Sequence, residues 1–173
     1  MELSPGETVL CTFRFVKGGR LTIDKNTAPA GDPTSFSFSL TGGPSALNQT
    51  TSLRHADPPY VTGWLKPGAG YGATETIVAG WDLSQLACTS SNGTSVFSIV
   101  GADPAPGLQP GDNAAVVDLG AGDNVVCAFT NTKRGKVVVV KDAIPDDPQD
   151  FFFDITGPAT AVSFVLDDDG DPV

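Results

Sequence analysis

An internal repeat dominates the sequence. Residues 6–42 align with residues 122–157 after a one-residue gap, with a period of about 115 residues. Identical residues recur in step along the two copies: Cys11 with Cys127, Phe13 with Phe129, Lys17 with Lys133, Lys25 with Lys141, Pro33 with Pro148, Phe36 with Phe151 and Phe38 with Phe153. Because several residue types coincide over the whole stretch, we interpret it as a repeated structural unit.

The repeat predicts how the chain is divided. Residues 19–133 would form a complete unit, and residues 1–18 would be the last strand of a preceding repeat. Residues 134–173 would be the start of a following, truncated repeat. The alternative is one irregular domain in which two hairpins resemble each other by chance.

Composition favours strands over helices. The chain contains 20 Gly and 14 Pro, a density that leaves little room for long helices. Alternation of apolar and polar residues predicts short strands, which are Thr8–Phe15, Arg20–Lys25, Ser35–Leu40, Gly70–Ile77, Trp81–Cys88, Thr94–Val100, Ala114–Leu119, Val125–Asn131, Lys136–Lys141, Phe151–Ile155 and Val162–Leu166. About seven strands per repeat predict an all-β, Ig-like β-sandwich.

Charge excludes some classes of partner. Twenty acidic residues against ten Lys and Arg give a net charge of −10, which disfavours binding to nucleic acid or to anionic lipid. No apolar run approaches the roughly 20 residues that a membrane-spanning helix needs. We therefore expect neither a nucleic-acid partner nor membrane insertion by this segment.

Three polar residues fall on strand faces that are otherwise apolar. Lys25 shares a face with Leu21 and Ile23. Glu75 shares one with Tyr71, Ala73 and Ile77. In the same way, Asn131 lies on the face of Cys127 and Phe129. Since burying each polar group singly is expensive, we expect the three to meet.

These residues carry a resemblance to a known family. Lys25 in LTIDK, Glu75 in YGATET and Asn131 in CAFTNT resemble the motifs of prealbumin-like, SpaA-type (collagen-adhesin B-type) repeat domains of bacterial surface proteins. The resemblance covers roughly residues 19–132 and implies a prealbumin-like sandwich. It also implies an isopeptide bond between Lys25 and Asn131, with Glu75 as the catalytic proton shuttle.

The chemistry that the resemblance implies has an alternative. An apolar site lowers the pKa of a Lys amine and raises that of a Glu carboxyl, which suits attack on a carboxamide. The other interpretation is a buried Lys25–Glu75 ion pair with Asn131 merely hydrogen-bonded, and a different strand pairing would separate the three. In the repeat register Phe15 stands where Asn131 stands, so the preceding unit would lack the bond, and Lys141 would be the nucleophile of the following unit.

The cysteines fall in the same framework. Within the complete unit we predict a Cys88–Cys127 disulfide, which would imply an oxidising, extracellular setting. Cys11 corresponds to Cys127, so its partner would belong to the preceding unit. Reduced core cysteines, or pairing of Cys11 within this chain, are the alternatives.

Other signals are weaker. The stretch Asp167–Asp171 resembles a calcium loop but also a surface turn, and we expect no metal. The single histidine, His55, has no nucleophile-elbow pattern to support a triad. Tyr60 and Trp64 could form a small exposed aromatic patch for a ligand.

The leading functional interpretation is structural. We expect a non-enzymatic, cell-surface protein made of tandem sandwiches, which would serve as a stalk, fibre or adhesin scaffold without a cofactor. Its partners would be neighbouring repeats of the same protein, including head-to-tail association into a homopolymer. The alternative is an adhesin module that binds a host protein or glycan through loops such as Asn48–Gly63.

Overall fold

The computed structural model describes residues 4–102, 104–145, 149–157 and 160–166. Two compact units divide the chain, Met1–Arg134 and Gly135–Val173. In the described residues all regular structure is strand, and no helix there is long and apolar enough to cross a membrane. The segment Asp167–Asp171, our calcium-loop candidate, lies outside the described residues.

The first unit is a sandwich of two sheets. Its strands are β1 (Arg20–Ala28), β2 (Phe36–Gly42), β3 (Leu47–Leu53), β4 (Tyr60–Val61), β5 (Gly68–Glu75), β6 (Trp81–Ser90), β7 (Val96–Val100), β8 (Ala114–Leu119) and β9 (Asn124–Lys133). One sheet has the order β4-β1-β9-β6, and the other has the order β3-β2-β5-β8-β7. This is the all-β, Ig-like sandwich that the strand pattern predicts.

The pairing of β1 with β9 brings the first and last strands of the sandwich together. These strands run parallel, with Arg20 opposite Asn124 and Ala28 opposite Thr132. All other named strand pairs in the described residues are antiparallel. A parallel pair needs a long crossover, and here the other seven strands of the unit supply it.

The alternation of inward and outward side chains along the strands determines which residues form the core. The inward residues of β1 and β9 are almost fully buried, as the sequence pattern predicts. Apolar residues from both sheets fill the space between them, and the largest of those that are fully buried are Leu21, Ile23, Phe36, Phe38, Leu40, Tyr71, Val117, Val125 and Phe129. Phe36 meets Trp81 edge to face at 5.3 Å, and Phe38 meets Phe129 at 5.1 Å between ring centroids.

Two strands were missed by the sequence analysis. β3 has the sequence LNQTTSL, and only its two leucines are buried. Because β3 is an edge strand that exposes most of its polar residues, it lacks the alternation that marks a half-buried strand. Together with β4 it occupies about half of the segment Asn48–Gly63, which the alternative interpretation treats as a binding loop.

Two predicted strands are absent from the described residues. Neither Thr8–Phe15 nor Lys136–Lys141 forms a strand there. Their apolar side chains are largely exposed, with Leu10 at 89% and Val140 at 82%. Alternation of apolar and polar residues indicates only that a segment is compatible with a strand. The strand forms only where a neighbouring strand completes its hydrogen bonds.

The described residues of the second unit form one pair of strands. β10 (Phe151–Gly157) pairs with β11 (Thr160–Leu166) in an antiparallel register, with Phe153 opposite Phe164. These two rings stack with 5.7 Å between their centroids.

Candidate functional site

The trio predicted from the sequence comes from three strands. Lys25 lies on β1 and Asn131 on β9, and both point into the space between the sheets. Because Asn131 is opposite Thr27 in the parallel register, its side chain lies one inward position beyond that of Lys25. Glu75 ends β5 in the facing sheet, so its carboxyl approaches from across the core.

The three side chains are in contact. Nζ of Lys25 donates a hydrogen bond to Oδ1 of Asn131 at 2.8 Å, and another to the backbone oxygen of Asn26 at 2.6 Å. Oε1 of Glu75 lies 3.7 Å from the same Nζ. Each of the three residues exposes at most 3% of its surface. The structure thus brings an amine, a carboxyl and a carboxamide to one buried point.

Aromatic rings enclose the amine. Nζ of Lys25 lies 3.9 Å from the centroid of the Phe36 ring. Phe36 packs against Trp81, and Phe38 packs against Phe129, so the surroundings are largely apolar. Such an enclosure excludes water and penalises any charge that is not closely paired.

This burial shifts both titrating groups toward their neutral forms. Burial lowers the pKa of Lys25, although the neighbouring Glu75 opposes the shift. Burial raises the pKa of Glu75, against the opposing effects of Lys25 and Asn131. Oε1 of Glu75 is buried without a hydrogen-bond partner, a costly position for an ionised oxygen. Burial thus moves both pKa values in the direction of a neutral amine and a protonated acid.

A surface cleft borders Asn131. Its volume is about 460 Å³, and Asn131 is one of its lining residues. The wall also includes Trp81, Leu83, Asn113 and Arg134. Asn131 is thus the member of the trio that lies beside a cleft.

A disulfide joins the two strands next to the site. Cys88 of β6 and Cys127 of β9 are opposite each other in the antiparallel register, and their sulfurs are bonded. The bond spans a sequence separation of 39 residues. Cys11 is an exposed free cysteine in the part of the chain that the structure describes.

One buried carboxylate was missed by the sequence analysis. Asp123 is fully buried just before β9 and accepts hydrogen bonds from the hydroxyls of Ser90, Ser91 and Ser95 and from the backbone N–H groups of Ser91 and Asn92. Burial alone would raise the pKa of Asp123, but these hydrogen bonds together hold it well below its usual range. The serine-rich stretch Ser90–Ser95 was the available signal, yet only the fold shows that it surrounds an acid.

The remaining candidates, His55, Tyr60 and Trp64, each have a defined neighbour. His55 accepts a hydrogen bond on Nδ1 from the backbone N–H of Thr27 at 2.9 Å. Trp64 is 62% exposed and lies under the Arg20 guanidinium at 4.0 Å, while Tyr60 donates to Gln49. Within the described ranges no group of three or more His, Cys, Asp or Glu side chains could hold a metal ion.

Several solved structures are similar to this chain. A bacterial adhesin from Mobiluncus mulieris, described as containing intramolecular disulfide, isopeptide and ester bond cross-links, is 17% identical over 66% of this chain and 41% of its own, with a TM-score of 0.44. A point mutant of the major pilin from Streptococcus pyogenes is 17% identical over 69% of this chain and 49% of its own, with a TM-score of 0.34. The S. pyogenes T-13 major pilin is 19% identical over 68% and 45%, with a TM-score of 0.32.

The chain spans less than half the length of each of these proteins. No curated protein sequence matches it. The family described as a prealbumin-like fold domain, of the SpaA type, matches residues 21–133, which is more than half of the chain. The all-β sandwich agrees with that match, and the chain belongs to this family of SpaA-type prealbumin-like domains.

Proposed function

We propose that Lys25 and Asn131 form an intramolecular isopeptide bond. The single observation that carries the proposal is the buried contact of 2.8 Å between Nζ of Lys25 and Oδ1 of Asn131, with Oε1 of Glu75 3.7 Å from that Nζ. A contact this close holds amine and carboxamide ready for reaction and provides the proximity that an uncatalysed amide exchange lacks.

The reaction exchanges one amide for another. The neutral amine of Lys25 attacks Cγ of Asn131, and Glu75 donates its proton to Oδ1 as the carbonyl bond opens. Glu75 then takes a proton from the attacking nitrogen and delivers it to Nδ2 of Asn131. As the carbonyl re-forms, Oδ1 returns its proton to Glu75, the Cγ–Nδ2 bond breaks, and ammonia leaves through the adjacent cleft.

The bond would act as a brace rather than as an active site that turns over. It would fasten the first strand of the sandwich to the last, next to the Cys88–Cys127 disulfide. An amide bond between strands resists heat, protease and pulling because the strands cannot separate without breaking a covalent bond. The chain would therefore be a self-cross-linking structural domain, with no substrate of its own.

At the scale of the protein, we propose an extracellular or cell-surface scaffold. Residues 19–133 would be one repeat in a stalk, fibre or adhesin, flanked by residues 1–18 and 134–173 of its neighbours. The internal repeat supports this organisation, and family membership supports a surface protein. An adhesin module that binds a ligand is the second candidate, and the exposed Trp64 with its stacked Arg20 favours that interpretation.

Intact-mass measurement of the reduced protein tests the bond. We expect the chain to weigh about 17 Da less than its sequence, the mass of one ammonia. Proteolysis should then yield a branched peptide that contains both Lys25 and Asn131. The Asn131→Ala variant should show its full calculated mass, and an unshifted wild-type mass would leave only a buried ion pair.

A further inference from the structure

The carboxyl of Glu75 depends on a strand end for its position. Glu75 is the last residue of β5, and the chain then turns outward, so that Ile77 is 69% exposed. Oε1 of Glu75 lies 3.7 Å from Nζ of Lys25 and, among the described residues, has no hydrogen-bond partner. Because this oxygen is not held by a hydrogen bond of its own, the backbone of Glu75 must keep the carboxyl beside the amine.

The backbone of Glu75 has a partner on each side. On one side Glu75 is opposite Phe38 of β2. On the other side the register of β5 with β8 ends where Thr74 is opposite Ala114, so the next residues to meet are Glu75 and Asn113. The N–H of Glu75 donates to the backbone oxygen of Asn113 at 2.8 Å. Asn113 therefore extends the pairing by one residue beyond the regular ladder.

The side chain of Asn113 supplies the second hydrogen bond of this pair. Opposite residues in an antiparallel ladder exchange two backbone hydrogen bonds in every second pair, and the bond from Glu75 to Asn113 marks such a pair. The N–H of Asn113 does not return the bond but donates to the backbone oxygen of Val100 on β7, at 3.4 Å. Instead, Nδ2 of Asn113 donates to the backbone oxygen of Glu75 at 2.9 Å. The carboxamide thus takes the place of the missing backbone donor.

A hydrogen-bonded turn brings Asn113 to the end of β5. The backbone N–H of Gln109 donates to Oδ2 of Asp112 at 2.9 Å, and the N–H of Asp112 donates to the backbone oxygen of Gln109 at 3.0 Å. Asp112 is 4% exposed, and β8 begins at Ala114, two residues further on. Asn113 therefore lies between a closed turn and a strand, and its backbone is held on both sides.

The hydrogen bond from Asn113 matters because Glu75 lies at the edge of the core. A carbonyl oxygen that is partly buried is costly to leave without a donor, so loss of the Asn113 side chain would favour movement of the end of β5. Movement there would carry the carboxyl out of its apolar enclosure. General acid–base catalysis requires the acid within hydrogen-bonding reach of the reacting atoms, and small displacements slow such reactions strongly.

We propose that Asn113 is a positioning residue that fixes Glu75 for the proton transfers of the cross-linking reaction. Asn113 acts through the backbone of Glu75 and neither makes nor breaks a bond in the reaction. The inference rests on the proposed isopeptide bond, and it adds a fourth residue to the trio of Lys25, Glu75 and Asn131. The sequence did not indicate this residue, because its role depends on the meeting of two strand ends.

The rate of cross-linking tests the proposal. The full-length chain is synthesised in a brief cell-free translation, and samples are denatured at intervals, reduced and weighed intact. We expect Asn113→Ala to lose about 17 Da at a rate about tenfold below that of the wild type, because Glu75 is less well placed. Equal rates for the wild type and Asn113→Ala would overturn the proposal.

Gln109→Ala is the matched control. Gln109 lines the same cleft as Asn113, and its Nε2 likewise donates to a backbone oxygen, that of Pro106, at 3.1 Å. Its side chain is therefore a carboxamide of the same loop that has no hydrogen bond to Glu75. Gln109→Ala should cross-link at the wild-type rate, and a rate as low as that of Asn113→Ala would overturn a specific role for Asn113.

A titration separates positioning from a general loss of stability. In Asn131→Ala no bond can form, and NMR of ¹³C-labelled glutamate reports the pKa of Glu75 through the signal that Glu75→Gln removes. Burial raises this pKa above its ordinary value of 4.5. Adding Asn113→Ala should lower the pKa toward 4.5, whereas adding Gln109→Ala should leave it unchanged. An unchanged pKa in folded Asn113→Ala would overturn the proposal even if cross-linking were slower.

The two measurements also distinguish this proposal from the isopeptide bond itself. A wild-type chain of unshifted mass would refute the bond, and the titration in Asn131→Ala would still show whether Asn113 fixes Glu75. A wild-type chain that loses ammonia no faster than Asn113→Ala would refute only the positioning role. If Asn113→Ala does not fold, Asn113→Leu removes the donor but keeps most of the side-chain volume, and both measurements apply to it with the same expected results.

Discussion

At the scale of residues, the site depends on the desolvation of two ionisable side chains that the fold buries. Lys25 and Glu75 are both buried, and the pKa of each is shifted toward the neutral form mainly by that burial. In water the same two side chains would carry full charges and would not react with a carboxamide. The reactivity that we propose therefore belongs to the enclosure and not to the residue types.

The role of Glu75 can be tested by an isosteric change. Glu75→Gln keeps the size of the side chain but removes the acid that would transfer protons. We expect this variant to fold and to retain the full calculated mass, with no branched peptide. A Glu75→Gln chain that still loses one ammonia would show that the acid is dispensable. As a control for folding, the circular dichroism spectrum of this variant is compared with that of Asn131→Ala.

The stability of an unreacted chain should depend on pH with a predictable sign. In Asn131→Ala no bond forms, and both shifted groups stay in the core. Because the folded pKa of Glu75 is raised above 4.5, the folded state holds more protons, and stability falls as pH rises through that window. Because the folded pKa of Lys25 is lowered below 10.5, stability rises again as pH approaches 10.5.

We therefore expect a minimum of stability between these two windows. The midpoint of urea unfolding, measured across pH, reports it. A variant that combines Asn131→Ala with Lys25→Met and Glu75→Gln removes both groups and should lose the minimum. If the two profiles coincide, the pKa shifts of Lys25 and Glu75 are too small to matter.

At the scale of elements, the turn before β9 is organised by one carboxylate. Asp123 binds three serine hydroxyls and two backbone N–H groups from the end of β6 and the connection between β6 and β7. Its backbone oxygen also accepts the N–H of Arg20, where β1 begins. One residue thus ties together the start of β1, the start of β9 and the loop after β6.

Replacing this carboxylate should loosen the turn. Asp123→Asn leaves some of the five donors without an acceptor, and we expect a loss of about 2–4 kcal/mol in the free energy of unfolding. The exposed Asp118, which accepts one backbone N–H from Gly70, supplies the control Asp118→Asn with a much smaller loss. Chemical denaturation of both variants measures the difference, and equal losses would contradict the role of Asp123.

The same carboxylate contributes to acid sensitivity. The folded pKa of Asp123 lies below the usual 3.8, so its contribution is present above that pH and is lost as pH falls through the folded value. The difference in the free energy of unfolding between the wild type and Asp123→Asn should therefore become smaller in strong acid.

At the scale of the whole molecule, the proposed bond lies on the path of a pulling force. Force applied at Gly19 would pass along β1 to Lys25, cross to Asn131 and leave through the end of β9. The residues between Lys25 and Asn131 would then carry no load. A covalent connection between the first and last strands suits a scaffold that is held under tension.

Single-molecule stretching checks this force path. Under reducing conditions, unfolding of Asn131→Ala should release the 106-residue separation between Lys25 and position 131, a gain of roughly 370 Å at about 3.5 Å per residue. The wild-type domain should not show this increase in length, because the bond would hold Lys25 and Asn131 together. With the disulfide intact the variant should gain less, because the residues between Cys88 and Cys127 stay looped. A full extension of the wild-type chain would contradict the bond.

Much of the site could be predicted before the fold was known. Alternation is a local property of a strand, so the inward positions of Lys25, Glu75 and Asn131 follow from their immediate neighbours. Ile77 marks the limit of that argument, because β5 ends at Glu75 and Ile77 is 69% exposed. The Asp123 network could not be predicted, since its serine partners lie on another connection.

The sequence by itself determined the strand-rich class, the faces of the central strands and the family, because these depend on residue type and on spacing of two along the chain. Only the tertiary structure decided that β1 lies beside β9, that Glu75 reaches the pair from the opposite sheet, and that polar β3 is a strand at all. Such contacts join residues far apart in the chain, and their free energy comes from burial that exists only once both sheets have formed.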